Sequence, residues 1–180
     1  MVIPSRASIS RSSCLRRNSA TPPPSCLPHS DLQMSRLLQW VGLRFTFPLN
    51  ESQLAEYANT DGEHRHLISA TIADSDRVVA HAELQVVPEH DLGQIGRFVV
   101  APDMRGGGIA CRLLDHIVAL GFEKLDLHRL ELVVFAFNEP ALRCYKRAGF
   151  VQEGRACHAR KASDGYWDLI YMGRLRTPAR

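Results

Sequence analysis

The sequence predicts an α/β (α+β) fold: a mixed, mostly antiparallel sheet of six to seven strands flanked by helices. Three observations predict it. Short apolar runs recur in the order β-α-β-β-β-α-β-α-β-β, with the strand and helix periods distinguishable along the chain. Two junctions, Asp74-Ser75-Asp76-Arg77 and Ser163-Asp164-Gly165, have the composition of hairpin turns, which set their flanking strands antiparallel. The segment from Gly108 to Leu125 is long and amphipathic, with Ile109, Leu113, Ile117 and Leu120 on one side.

Each element follows from local chemistry. Leu43-Arg44-Phe45-Thr46-Phe47 alternates like a strand, and Asn50 caps a helix running to Ala58. Strands are expected over His66 to Ala73 and Val78 to Val87. On the second, Val78, Ala80, Ala82, Leu84 and Val86 share one face, and His81, Glu83 and Gln85 the other. Pro88 to Gly93 is a turn, and Ile95 to Val100 an apolar strand. Arg129 to Phe135 is rich in Leu and Val and reads as another. Pro140 to Ala148 is a short helix, with Pro at its first position and Gly149 at its stop. Val151 to Lys161 and Tyr166 to Met172 close the chain as a hairpin. No internal repeat is evident.

Residues 1–33 differ in kind. They are rich in Ser, Pro and Arg, and Thr21-Pro22-Pro23-Pro24-Ser25 excludes helix or central strand. With few large apolar side chains to offset ordering entropy, the segment is expected to be a disordered tail. It is transit-like in being Arg- and Ser-rich and free of acid, although Met34 is an alternative start. The domain proper is placed at 34–180.

The formal net charge is +3, yet residues 1–30 alone carry Arg6, Arg11, Arg16 and Arg17 and no acid. The basic balance therefore belongs to the tail, and neither a nucleic-acid partner nor a membrane partner is expected. Five cysteines without a CxxC pair give no disulfide framework and no zinc pattern, and a cytoplasmic setting is the simplest. His64 and His66 lack a third ligand at useful spacing, so no metal is expected.

The chemistry is carried by Arg105-Gly106-Gly107-Gly108-Ile109-Ala110, which joins a strand end to a helix start. A helix start offers unpaired N–H groups and the positive end of the macrodipole, which together bind anions, phosphate above all. Glycines let the backbone approach such a ligand closely. Arg105 can add a charge-assisted bond. The loop has neither the P-loop nor the dinucleotide spacing.

The strand, the Arg/Gln-x-x-Gly-x-Ala loop and the long helix resemble the acetyl-CoA motif of the GNAT superfamily. The likeness continues through Leu130-Glu131-Leu132-Val133-Val134-Phe135, Asn138-Glu139-Pro140-Ala141, Tyr145 and Gly149-Phe150. It is specific over residues 95–153, suggestive over 154–175 and weak over 42–94. The resemblance implies a V-shaped split between two parallel central strands, opened by a bulge in the first, between the ends near Val100 and Phe135. Acetyl-CoA is then the expected co-substrate. Phe98, Val99 and Val100 would pair with its pantetheine arm, and Arg105, Gly106, Gly107, Gly108, Ile109 and Ala110 would hold its pyrophosphate. Asn138 would hold the arm, or else only bond its local backbone.

Tyr145 matches the family's general acid, a phenol able to protonate the leaving thiolate. Its other reading is packing on an amphipathic helix. A base is also needed, and the position where relatives often carry Glu falls on Gln94, which cannot act as one. Glu83 is the substitute and His81 the runner-up. Cys111 and Cys144 are read as packing residues, and Asp168 as a hairpin partner or a substrate contact. The expected activity is direct acetyl transfer to a primary amine, a small molecule or a protein N-terminus, with a homodimer as the expected assembly. The rival readings are a non-catalytic acyl-CoA sensor and a protein that binds an acidic partner through residues 1–33.

Overall fold

The computed structural model describes residues 50–176, except 74, 76, 163 and 164, together with the backbone of residues 7–11. The expected strand over Leu43 to Phe47 lies outside the described residues, as does most of the Ser/Pro/Arg-rich segment.

The described elements are β1 (Ala7–Arg11), α1 (Glu51–Ala58), β2 (Arg65–Ile72), β3 (Val78–Val87), β4 (Leu92–Val100), α2 (Ile109–Ala119), β5 (Arg129–Phe135), α3 (Glu139–Arg147), β6 (Val151–Ala162) and β7 (Gly165–Leu175). The strands form one seven-stranded sheet in the order β1-β2-β3-β4-β5-β7-β6. All neighbours are antiparallel except β4 and β5. Within the segment expected to be unstructured, Ala7–Arg11 pairs with β2 at the edge of the sheet. Ala-Ser-Ile-Ser-Arg alternates at period two, a local strand pattern hidden by the segment's overall composition.

Local chemistry fixes the helix ends. The Asn50 side chain accepts from the Gln53 amide at 2.9 Å, which caps α1. Gly108, at φ 78°, occupies the cap of α2, a left-handed conformation that costs glycine little. After Ala119 the helix widens into a π-turn over Leu120–Lys124, closed by the Leu125 amide on the Leu120 carbonyl. One face of the sheet packs on α2. Leu84, Leu130, Ile68 and Met172 meet Leu113, Leu114 and Ile117, all nearly inaccessible to solvent.

Gly93 is required where β4 enters this core. A Cβ there would meet Leu130, Leu84 and Leu127 side-chain carbons at 2.6, 2.8 and 2.9 Å. Three side chains, on β3, on β5 and in the turn before β5, would have to move together, so Gly93→Ala is expected to cost about 1–3 kcal/mol. Chemical denaturation should show the midpoint falling with an unchanged slope.

Two irregularities shape the site. The parallel ladder between β4 and β5 runs only from Leu92–Arg129 to Ile95–Leu132. Beyond that vertex the two strands part, as expected for the V-shaped split. Next to it, β3 residues His81 and Glu83 oppose Val99 and Gly96, so β4 carries one extra residue. Arg97 adopts φ 48° within this bulge. A bulge sharpens local twist and ends regular pairing, which accounts for the fork.

Candidate active site

The glycine loop lies at the open end of the fork. Gly106 and Gly108 have φ of 81° and 78°, and a Cβ on either would meet nothing within 4 Å. Gly106, Gly107 and Gly108 are exposed. Among the described residues, no backbone carbonyl engages the amides of Gly106, Gly107, Gly108, Ile109 or Ala110. These amides, at the positive end of α2, suit a pyrophosphate. The Arg105 side chain folds back, its Nε donating to the Val100 carbonyl at 3.2 Å. This ties the loop to the strand end.

Two cavities follow the fork inward. The smaller, about 80 Å³, touches Gly96, Phe98, Val134, Phe135, Asn138 and Tyr145. The larger, about 320 Å³, lies against Glu83, Gln94, Gly96, Arg97, Glu131 and Val133. Gly96, Arg97 and Val133 border both, so the two meet at the vertex.

Tyr145 is buried, with its ring edge-on to Phe98 and Phe150 at 6.1 and 6.3 Å. Burial, and secondarily the neighbouring Cys144, push its phenol well above the usual range. It therefore stays protonated as a donor at neutral pH. Asn138 accepts from the Ala141 amide at 3.4 Å and caps α3, while also bordering the smaller cavity. Phe98, Val99 and Val100 lie on the separated part of β4, which forms no ladder with β5.

On the other face, Glu83 is 2% exposed and accepts from Arg97 Nη1 at 2.7 Å, with Arg65 Nε 3.8 Å away. His81 is held between the Tyr57 hydroxyl on Nε2 at 2.9 Å and the Ser69 hydroxyl on Nδ1 at 3.0 Å. Burial lowers its pKa from 6.5 to about 4, against the pull of Glu83 and with a smaller push from Arg97. The unfolded chain takes up this proton first as pH falls. The stability His81 contributes is thus complete above about pH 6.5 and is lost toward pH 4, roughly 3 kcal/mol in all. In urea titrations at pH 7 and pH 4.5, His81→Gln should lose about 2–3 kcal/mol less than the parent protein.

Three expected residues fall into structural roles. Asp168 accepts from Arg155 Nε at 2.9 Å and from the His158 amide at 2.7 Å, which makes it a hairpin partner. The Cys144 thiol is pushed up to about 12, by burial first and then by Cys111, so it is no thiolate. Gln94, exposed on β4, donates to Glu131 at 3.0 Å. Sequence reasoning missed Arg97, Glu131, Arg65 and Tyr57. Glu131 could have been found as a charge alternating with leucines in a central strand. Arg97 could not, because its direction depends on the bulge.

The profile of the Acetyltransferase (GNAT) family matches residues 34–150. The L-amino acid N-acetyltransferase AaaT of Escherichia coli is 30% identical over 55% of this chain and 62% of its own length. The spermidine N(1)-acetyltransferase of the same organism is 27% identical over 68% of this chain and 59% of its own. The chain thus spans about three-fifths of these curated relatives. The crystal structure of the ribosomal-protein-S18-alanine N-acetyltransferase from E. coli shares the fold, with TM-score 0.67 and 24% identity over 97% of both chains. With a forked sheet, an open glycine loop and a match over residues 34–150, the chain belongs to the acetyltransferase (GNAT) family.

Proposed function

We propose that the chain is an N-acetyltransferase that moves an acetyl group from acetyl-CoA to a primary amine by direct transfer. The observation that carries this reading is the fork itself, which places the amides of Gly106–Ala110, unengaged by any backbone carbonyl among the described residues, beside a cavity lined by a buried, protonated phenol. The relatives' names, covering an amino acid, spermidine and a ribosomal protein as acceptors, support an amine as the acceptor class.

Acetyl-CoA would supply an activated acyl carbon with a thiolate leaving group. The amides of Gly106–Ala110 would hold its diphosphate, and the open edge of β4 from Phe98 to Val100 would pair with its amide-bearing arm. Asn138 fixes the start of α3 and so the position of Tyr145. Tyr145 would then donate its proton to the departing sulfur. The amine must lose a proton before it can attack. Glu83, on the wall of the larger cavity, is assigned this task through water. Glu131, less enclosed on the same cavity, is the second candidate. The exposed Val151, Tyr171 and Leu175 on β6 and β7 support a homodimer, which sedimentation would test.

The deciding experiment incubates the protein with acetyl-CoA and a panel of amines and measures acetylated product by mass spectrometry together with free thiol. Product and thiol in equal amounts support the reading. Tight acetyl-CoA binding without product from any amine would point to a sensor instead. Between Glu83→Gln and Glu131→Gln, the variant that loses the rising limb of the kcat/KM–pH profile identifies the base.

A further inference from the structure

The larger cavity carries opposite charge on its two walls. On the β3–β4 side, Arg65 and Arg97 share the single carboxylate of Glu83. His81 is neutral at pH 7, with its pKa lowered to about 4. The group therefore holds one positive charge in excess. Its donors also outnumber its acceptors, since Arg65 Nη1 and Arg97 Nε have no partner among the described residues. On the β5 side the arrangement is reversed. Arg129 is shared by two carboxylates, binding Glu153 through both Nη1 and Nη2 and Glu131 through Nε at 3.4 Å. That group holds one negative charge in excess. Arg97 and Glu83 of the first group and Glu131 of the second border the cavity, with Gly96 and Val133 at the vertex, and the excess positive charge of the first group comes from Arg65 behind Glu83.

We propose that the acceptor is a small zwitterion, a free α-amino acid, with its carboxylate on the Arg97 wall and its ammonium on Glu131. This rests on the acetyl-transfer reading, narrows it, and selects Glu131, the second candidate, over Glu83 as the base beside the amine. Opposite charges on a substrate are each attracted to the complementary wall, and a cavity of about 320 Å³ accommodates a molecule of that size. A polyamine presents cations at both ends. One of them would have to lie against Arg97, where like charge opposes it. An amino-acid amide keeps the ammonium contact and forfeits the other. Glu131 also has a positional argument: it directly precedes Leu132, the last residue of β5 paired to β4, so an ammonium held there waits at the vertex. Arg97 acts here as a specificity residue, and its direction follows from φ 48° in the bulge.

The test is an acceptor series on the full chain with acetyl-CoA: L-amino acids, their carboxamides and spermidine, each compared by kcat/KM. The preferred amino acid should exceed its own carboxamide by at least about tenfold, because a site built to bind a polar group discriminates against its loss. Arg97→Gln should bring that ratio toward one, chiefly through KM for the acid, and Arg97→Lys should retain much of it. Should Arg97→Gln fail to fold, the ratio in the unaltered protein and in Arg97→Lys still decides. Equal turnover of acid and amide, or a preference for spermidine, would overturn the zwitterion assignment while leaving acetyl transfer intact. Acetylation of no acceptor at all would instead overturn the acetyl-transfer reading, and this one with it.

Discussion

Tyr145→Phe should lower kcat by about 10²–10³-fold while changing acetyl-CoA affinity by less than about threefold. The substitution removes one oxygen and keeps the ring on Phe98 and Phe150, so the fold should be disturbed by no more than about 1 kcal/mol. What it removes is the proton available to a departing thiolate. Burial keeps the phenol protonated well past neutrality, so the loss should be nearly independent of pH between about 6 and 9. Steady-state kinetics with an amine acceptor, beside calorimetric titration of acetyl-CoA, separates the two effects. Unchanged turnover would take Tyr145 out of the chemistry and leave it a packing residue of α3.

Gly107→Glu should weaken acetyl-CoA binding by at least about 100-fold, because like charges brought together oppose each other by several kcal/mol. This position separates binding from folding better than its neighbours do. Gly106 and Gly108 sit at φ 81° and 78°, where any side chain strains the backbone. Gly107 has no such conformation, and a Cβ there would meet only the Met104 carbonyl, at 3.8 Å. A carboxylate so close to the start of α2 is favourable for the free helix. The thermal midpoint should therefore hold while affinity collapses. Normal affinity would mean that the diphosphate binds elsewhere.

Much of the fold was legible because its signals are local. β3 and β5 follow from alternation, α1 from the Asn50 cap, and α3 from Pro140 and Gly149, each within a residue or so of its observed bounds. The glycine loop was legible for the same reason, since its composition states its conformation. The acceptor wall was not. Arg97 belongs to an apolar strand by pattern, and only the mismatch of β4 against β3 turns it onto Glu83. The burial of Glu83 was hidden as well. A polar trio on one strand face reads as wet, yet Tyr57 of α1 lies across His81, and Arg97 lies over the Tyr57 ring. Long-range packing of that kind leaves no trace in residue spacing. Ala7–Arg11 pairs with β2, and its short alternating stretch is masked by the composition of its surroundings.

The supernumerary residue of β4 acts as a phase shift. Were Phe98 deleted there, Val99 would stay opposite His81 and Arg97 would come to stand opposite Ala82. Arg97 would cross to the apolar face, and the Tyr145 ring would lose its edge-on neighbour. The same deletion would let the parted strands zip together and would draw Arg97 off its carboxylate. Cofactor entry, the seat of the acid and the charge of the acceptor wall are thus geared to a single backbone step. Selection acting on substrate preference at that step cannot leave the other two untouched, so diversification in this chain would fall more readily on β5, where a change at Glu131 disturbs Gln94 and Arg129 and leaves the extra residue of β4 in place.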